Sequence, residues 1–235
     1  MRLTMYGIRE WGLGGLMAVV LAGASLGLAR IYPGLSVIFW AFGAVVVVCW
    51  LGVAAFFRDP DREIPPDENL IVSPADGVVK DIMVMRGADE NAHFGGHDAL
   101  RIGIFLSVLD VHLNRVPCQL TVKSVEMRDG VYHDARDERA STHNSAASIF
   151  CEGSACGMNF PLIVRQITGA IARRIVCPVR SGDTFAKGVR YGMIKFGSRT
   201  ELYLPAESFE STVKVGDRVY GGSSVVARIK GKVVR

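Results

Sequence analysis

Three short runs in this chain combine residue types that do chemistry. The first, Ser73-Pro-Ala-Asp-Gly77, is a tight turn presenting one carboxylate. Asp76 there is either a reactive group or an ordinary turn aspartate bonded to its own backbone. The second is Asp110-Val-His-Leu-Asn-Arg-Val-Pro117, directly after an apolar strand-like run. Imidazole titrates near neutrality, so His112 beside Asp110 and Arg115 can serve as acid or base; it can equally be a surface histidine in a polar loop. The third is Phe196-Gly-Ser-Arg-Thr-Glu-Leu-Tyr-Leu-Pro205. Gly-Ser pairs also occur at Gly153-Ser154 and Gly222-Ser223, so only its setting distinguishes Gly197-Ser198. It lies between two apolar runs, where a glycine marks a bulge or a close backbone approach.

Other reactive side chains lack such company. His93 and His97 sit in a Gly-rich segment, and His133 and His143 in a polar loop, without carboxylates or cysteines at metal-ligand spacing, so no metal site is expected. The five cysteines include no CxxC pair and read as reduced thiols. A net charge of +4 is too small to argue for nucleic acid.

The elements that position these runs begin with two uncharged segments, residues 11–29 and 35–57. Each is long enough as a helix to cross a hydrocarbon core, which needs ~20 residues. Pro33 and Gly34 favour a turn between them, so residues 1–58 read as a membrane-anchoring hairpin. Five glycines dilute the first segment, which leaves an interfacial position open for it. Arg2 and Arg9 precede the hairpin, Arg58 and Arg62 follow it, and its loop carries only Arg30. The positive-inside rule then places both ends in the cytoplasm.

Residues 59–68 carry three prolines and read as a linker. Residues 59–235 fit one domain in which strand signals dominate. Leu100, Ile102, Ile104 and Leu106 alternate as a half-buried strand does. Residues 120–125, 191–196, 200–204, 212–215 and 224–229 are similar; 162–176 is open between strand and helix; 132–147 reads as a polar loop or short helix. The expected class is α+β, mostly β: a barrel- or sandwich-like domain behind a helical hairpin.

Taken together, the Ser73-Pro-Ala-Asp-Gly77, Asp110-Val-His-Leu-Asn-Arg115 and Lys195-Phe-Gly-Ser-Arg199 runs resemble the ordered motifs of the phosphatidylserine decarboxylases in their short prokaryotic form. Val164-Arg-Gln-Ile167, Ala172-Arg-Arg-Ile-Val176 and residues 137–144 are similar to that branch as well. The resemblance implies a self-processing carboxy-lyase whose cofactor is a pyruvoyl group made from its own Ser198. Cleavage at Gly197-Ser198 would leave a β chain, 1–197, and an α chain, 198–235, as a heterodimer. The pyruvoyl ketone would condense with the serine headgroup of phosphatidylserine and draw electrons from the bond to its carboxylate. Carbon dioxide and phosphatidylethanolamine would follow.

By the same resemblance His112 is the proton donor in decarboxylation, and Asp76 the carboxylate that orients the cleavage base. Longer relatives carry a second histidine where this chain has Arg115, a poor proton acceptor. His112 could then serve both steps, or His133 or His143 could supply the imidazole. An archaeal-type ether lipid as substrate would leave the same motifs. The rival from another class is a membrane-tethered adaptor. Gly216-Asp-Arg-Val-Tyr-Gly-Gly222 resembles the turns of biotinyl- and lipoyl-like modules, although no Met-Lys-Met or Asp-Lys-Ala carrier motif is present.

Overall fold

The computed structural model describes residues 2–86, 92–170, 174–195 and 197–231. Parts of three sequence readings, at Asn91, residues 171–173 and Phe196, lie outside the described residues. The chain divides into two compact units, Met1–Pro60 and Asp61–Arg235.

In the first unit, the apolar runs form α1 (Gly14–Ile31) and α2 (Ser36–Phe56), with a π-helical turn at Arg9–Leu13 leading into α1. Counted with their flanking turns, Arg9–Ile31 and Pro33–Phe56 are long and apolar enough to cross a membrane, and most of their surface is uncovered by protein. The turn expected at Pro33 begins two residues later than the end of the first uncharged run. Arg30 completes the last turn of α1, where a cation complements the helix dipole. Small residues let the helices approach. A side chain on Gly15 would meet the Trp50 indole at 2.8 Å, and Ser25 donates to the Phe39 carbonyl (2.5 Å) beside Gly43. Of the glycines that dilute the first segment, Gly15 therefore serves the helix packing, whereas Gly23 and Gly27 face open space. β1 (Arg2–Leu3) pairs antiparallel with β2 (Arg58–Asp59), a ribbon the sequence reading missed.

The second unit holds β3 (Leu70–Val72), β4 (Gly77–Met85), β5 (Ala99–Leu106), β6 (Leu113–Arg115) and β7 (Gln119–Arg128), then α3 (Arg139–His143). There follow β8 (Ala146–Ala155), β9 (Met158–Thr168), β10 (Arg174–Val176), β11 (Thr184–Phe185), β12 (Arg190–Lys195) and β13 (Ser198–Pro205). Last come β14 (Phe209–Ser211), β15 (Arg218–Val219) and β16 (Val225–Ile229). The main sheet is antiparallel and open, in the order β11-β7-β8-β9-β13-β5-β4-β15; it does not close into a barrel. Two three-stranded sheets, β10-β12-β6 and β14-β16-β3, accompany it. The run 162–176 is strand at both ends, but residues 212–215 are loop: Thr212 bonds back to Val226 while β14 ends at Ser211.

The alternation in β5 is real. Leu100, Ile102, Ile104 and Leu106 join Leu202 and Leu204 of β13, Val164 of β9, and Ile71, Phe209 and Ile229 of the smaller sheet in one buried core. Complete burial of each such side chain contributes roughly 1.5–3 kcal/mol. The intervening residues of β5 and β13 face the other way, and that face is covered as well.

Candidate active site

β13 is the central strand of the main sheet, flanked by β9 and β5. Its core-facing residues run Leu204, Leu202, Thr200, Ser198, so the apolar face turns polar at the strand's N-terminal end. There Ser198 pairs with Leu106 of β5 and Thr168 of β9. The preceding strand, β12, belongs to another sheet and pairs with β6. The short connection through Gly197 therefore carries the chain from one sheet to another.

That switch brings His112 to the Gly-Ser pair. The Ile194 N–H bonds the His112 carbonyl (3.2 Å), and the His112 ring is completely buried. Its Nε2 accepts the Gly197 N–H at 3.1 Å, while Nδ1 lies 3.0 Å from the Asp110 carbonyl oxygen. A carbonyl can only accept and an amide N–H only donate, so the proton sits on Nδ1 and the lone pair on Nε2. His112 is thus a neutral imidazole with its basic nitrogen at the Gly197 backbone.

Ser198 is fully buried, and its Oγ has no hydrogen-bond partner among the described residues. Buried hydroxyls are rarely left so, because the lost solvation is not recovered. Gly197 adopts φ +66°, a conformation that favours glycine. Its carbonyl oxygen lies over Gly169: a side chain there would start 2.5 Å from it. Sequence reasoning missed Gly169, whose only signal was a glycine closing a long apolar strand. Below the pair, Asn114 Nδ2 donates to Thr200 Oγ1 (2.9 Å), and Gln166 Nε2 to Asn114 Oδ1 (2.8 Å).

The Asp76 carboxylate meets other partners. Oδ1 accepts the Gly221 N–H at 2.7 Å and Oδ2 a bond from Arg62 at 2.6 Å. The Arg62 guanidinium also lies 5.2 Å from the centre of the Tyr220 ring. Burial raises the Asp76 pKa above its ordinary value; Gly221 and Arg62 oppose this, the Asp110 charge adds to it, and Arg115 lowers it. Asp110 accepts from Ser107 N–H and Oγ, both at 2.8 Å, and pairs with Arg218. Arg115 is buried and donates to the Gly188 carbonyl (3.2 Å). Nothing in the sequence pointed to Arg62, because a linker arginine looks like any solvated charge.

The other histidines lie elsewhere. The His133 and His143 rings face each other at 6.1 Å, and no hydrogen bond links either to Gly197 or Ser198. His93 Nε2 lies 3.0 Å from the Cys151 carbonyl oxygen, and His97 is exposed near Glu207. All five cysteines are free; burial pushes the Cys118 and Cys151 thiols up to about 12, which keeps them unreactive. No cluster suited to a metal occurs among the described residues.

A cavity of about 350 Å³ opens at Gly197, with Ser107 and Val108 on one side and Asp134, Arg136 and Gly169 among the other lining residues. On the opposite face of the sheet, Arg199 donates to Asp81 (2.5 Å) and Glu201 (2.7 Å). Tyr203 and Ser141 also donate to Glu201, at 2.6 and 2.7 Å. Burial works against ionisation of Glu201, but Arg199 and Arg101, with the Tyr203 and Ser141 bonds, outweigh it and hold the pKa low. This buried network fixes the residue next to Ser198 from below.

Comparison with known proteins gives the family. The profile described as phosphatidylserine decarboxylase matches residues 52–227. The chain is 43% identical to the phosphatidylserine decarboxylase proenzyme of Carboxydothermus hydrogenoformans, over 97% of this chain and 98% of that one. It is 40% identical to the proenzyme of Pelobacter propionicus, over 83% and 84% of the two chains, and 42% to that of Symbiobacterium thermophilum, over 81% and 85%. With a matching profile over most of its length and relatives this similar end to end, the chain belongs to the phosphatidylserine decarboxylase family.

Proposed function

We propose that this protein is a proenzyme that cuts itself between Gly197 and Ser198 and then decarboxylates phosphatidylserine to phosphatidylethanolamine. The observation that carries the reading is the buried, unpartnered Ser198 Oγ beside a glycine of positive φ whose N–H bonds an unprotonated imidazole nitrogen. The relatives, which bear the name of a decarboxylase proenzyme, favour it over the adaptor reading.

In processing, Ser198 Oγ attacks the Gly197 carbonyl carbon. The new C–O bond replaces the C–N bond, and the hydroxyl proton passes to the departing amine by way of His112 Nε2. The Asp110 carbonyl holds the imidazole in the tautomer that can accept this proton. Loss of the Ser198 Cα proton and cleavage of its Cβ–O bond then release the Gly197 carboxylate. Hydrolysis of the remaining enamine frees ammonia and leaves the pyruvoyl group. His112 fills the base position for which Arg115 is unsuited, and Asp76 is a positioning residue that ties the 73–77 turn to Gly221.

The residues present fit that group: it would form on the Ser198 backbone that β5 and β9 hold, at the cavity that opens at Gly197, and its ketone oxygen, taken from water, would replace the Ser198 nitrogen. Once formed, the pyruvoyl ketone supplies an electron sink for loss of carbon dioxide. His112 Nε2, once it has taken a proton from solvent, would then deliver it to the substrate α-carbon. The substrate is held in the membrane that α1 and α2 anchor, with the catalytic unit on the cytoplasmic face. The β and α chains stay together as a heterodimer.

Intact-mass measurement of the purified protein tests this. We expect an α chain beginning at position 198 and blocked by pyruvoyl. Ser198→Ala should leave one band near 25.5 kDa with no activity. His112→Ala should abolish turnover. A single uncleaved band from the unaltered protein would refute the reading.

A further inference from the structure

Residues 107–110 form a tight turn whose ends are locked. The Asp110 N–H bonds the Ser107 carbonyl (2.9 Å), the Asp110 carboxylate takes both donors of Ser107, and Arg218 grips it from outside. Turn tips favour Gly, Asn, Asp, Ser or Pro, for conformational and solvation reasons. This one carries Val108 and Leu109, 44% and 83% exposed. Apolar side chains this exposed are costly to hydrate.

Its place suggests what it meets. Val108 lines the cavity at Gly197, and its Cγ2 lies 3.8 Å from where a side chain on Gly197 would begin. About 350 Å³ suits a polar headgroup but not two acyl chains, which must remain at the mouth. Within the domain, Asp110 at the base of this turn pairs with Arg218, close in sequence to the Gly221 that holds Asp76.

We propose that the Val108–Leu109 tip is a membrane-contacting lip of the active site. It enters the interfacial layer of the bilayer and holds the cavity mouth against phospholipid headgroups. This rests on the reading that the substrate is a membrane phospholipid. Anchoring by α1 and α2 keeps the protein on the membrane; the lip sets the distance and angle at which the site meets it.

The test uses the full chain with two substrates: phosphatidylserine in phosphatidylcholine–phosphatidylglycerol vesicles, and monomeric dihexanoyl phosphatidylserine in solution. Burial of one leucine is worth on the order of tenfold in an equilibrium constant. Leu109→Ser should therefore lower kcat/KM on vesicles roughly tenfold, with self-cleavage and turnover of the soluble lipid unchanged. Leu109→Trp should restore vesicle activity, because its ring favours the interface. Equal vesicle activity of Leu109→Ser and the unaltered protein overturns the lip. So does equal loss on both substrates, which would place Leu109 in the site itself. A change in oligomeric state with Leu109→Ser would assign the tip to a second copy and also overturn it. An unaltered protein inactive on both lipids would instead refute the decarboxylase reading on which the lip depends.

Discussion

At the scale of single residues, the proposed site rests on three groups. His112 has both nitrogens assigned by their partners, which puts the Nε2 lone pair at the Gly197 N–H. Ser198 Oγ has no hydrogen-bond partner among the described residues, which would leave its lone pairs available for the proposed attack. Gly169 makes room for the scissile carbonyl. An alanine there would begin 2.5 Å from that oxygen, so the Gly197 peptide must shift by roughly 1 Å, a misplacement that costs on the order of a hundredfold in rate. Gly169→Ala should therefore slow self-cleavage by about that factor while the protein still folds, as a time course of α-chain appearance would reveal. Asp76 adds a pH dependence of known sign. Its carboxyl is raised by burial, so the folded domain keeps that proton to higher pH than the unfolded chain. Any stability linked to this group is present at low pH and fades as pH rises through the raised value.

At the scale of elements, β13 explains how a cut chain can keep its geometry. Ser198 is the first residue of that strand, and ladders to β5 and β9 hold it on both sides. Beneath it, Arg199 and Glu201 are 1% and 0% exposed in their side chains and belong to a network with Asp81, Arg101, Ser141 and Tyr203. Removing one partner of a buried ionic group leaves the others uncompensated, at about 3–5 kcal/mol. Glu201→Gln should destabilise the domain by that order in denaturant unfolding. The depressed pKa of Glu201 has the opposite sign to that of Asp76. Its contribution to stability is present above the unfolded-state value and is lost as pH falls through the folded one. Acid unfolding should therefore begin at higher pH in proteins lacking this network than in the unaltered one.

At the scale of the whole molecule, the segment after Gly197 is woven through the catalytic unit. β13 lies between β9 and β5, β15 pairs with β4, and β16 lies between β14 and β3. Scission at Gly197-Ser198 would leave each of these ladders intact. The two chains should thus co-elute under native conditions and separate only in denaturant. Size exclusion before and after guanidinium checks this, and separation in native buffer would count against the heterodimer. The N-terminal unit is built on other rules. Most of the surface of its two helices is uncovered by protein, which suits a lipid surround and would be costly in water.

The sequence by itself determined the class of the protein and most of its strands, because apolar alternation and uncharged runs are local signals of burial. It also pointed to Gly197, Ser198 and His112, residues whose types restrict the chemistry they can do. Tertiary structure alone decided which groups meet. Strand pairing across different sheets sets the Gly197 N–H on His112 Nε2, and the fold of the loops brings Arg62 to Asp76 and Gly169 under the Gly197 carbonyl. These are contacts between residues up to 85 positions apart. They follow from register and from the point where the chain changes sheets, and neither is written in local composition. The polar face of β13 makes the same point. Folding buries the charges of Arg199 and Glu201 on the face opposite Ser198, where they pair with each other and with Asp81 and Arg101 from other strands.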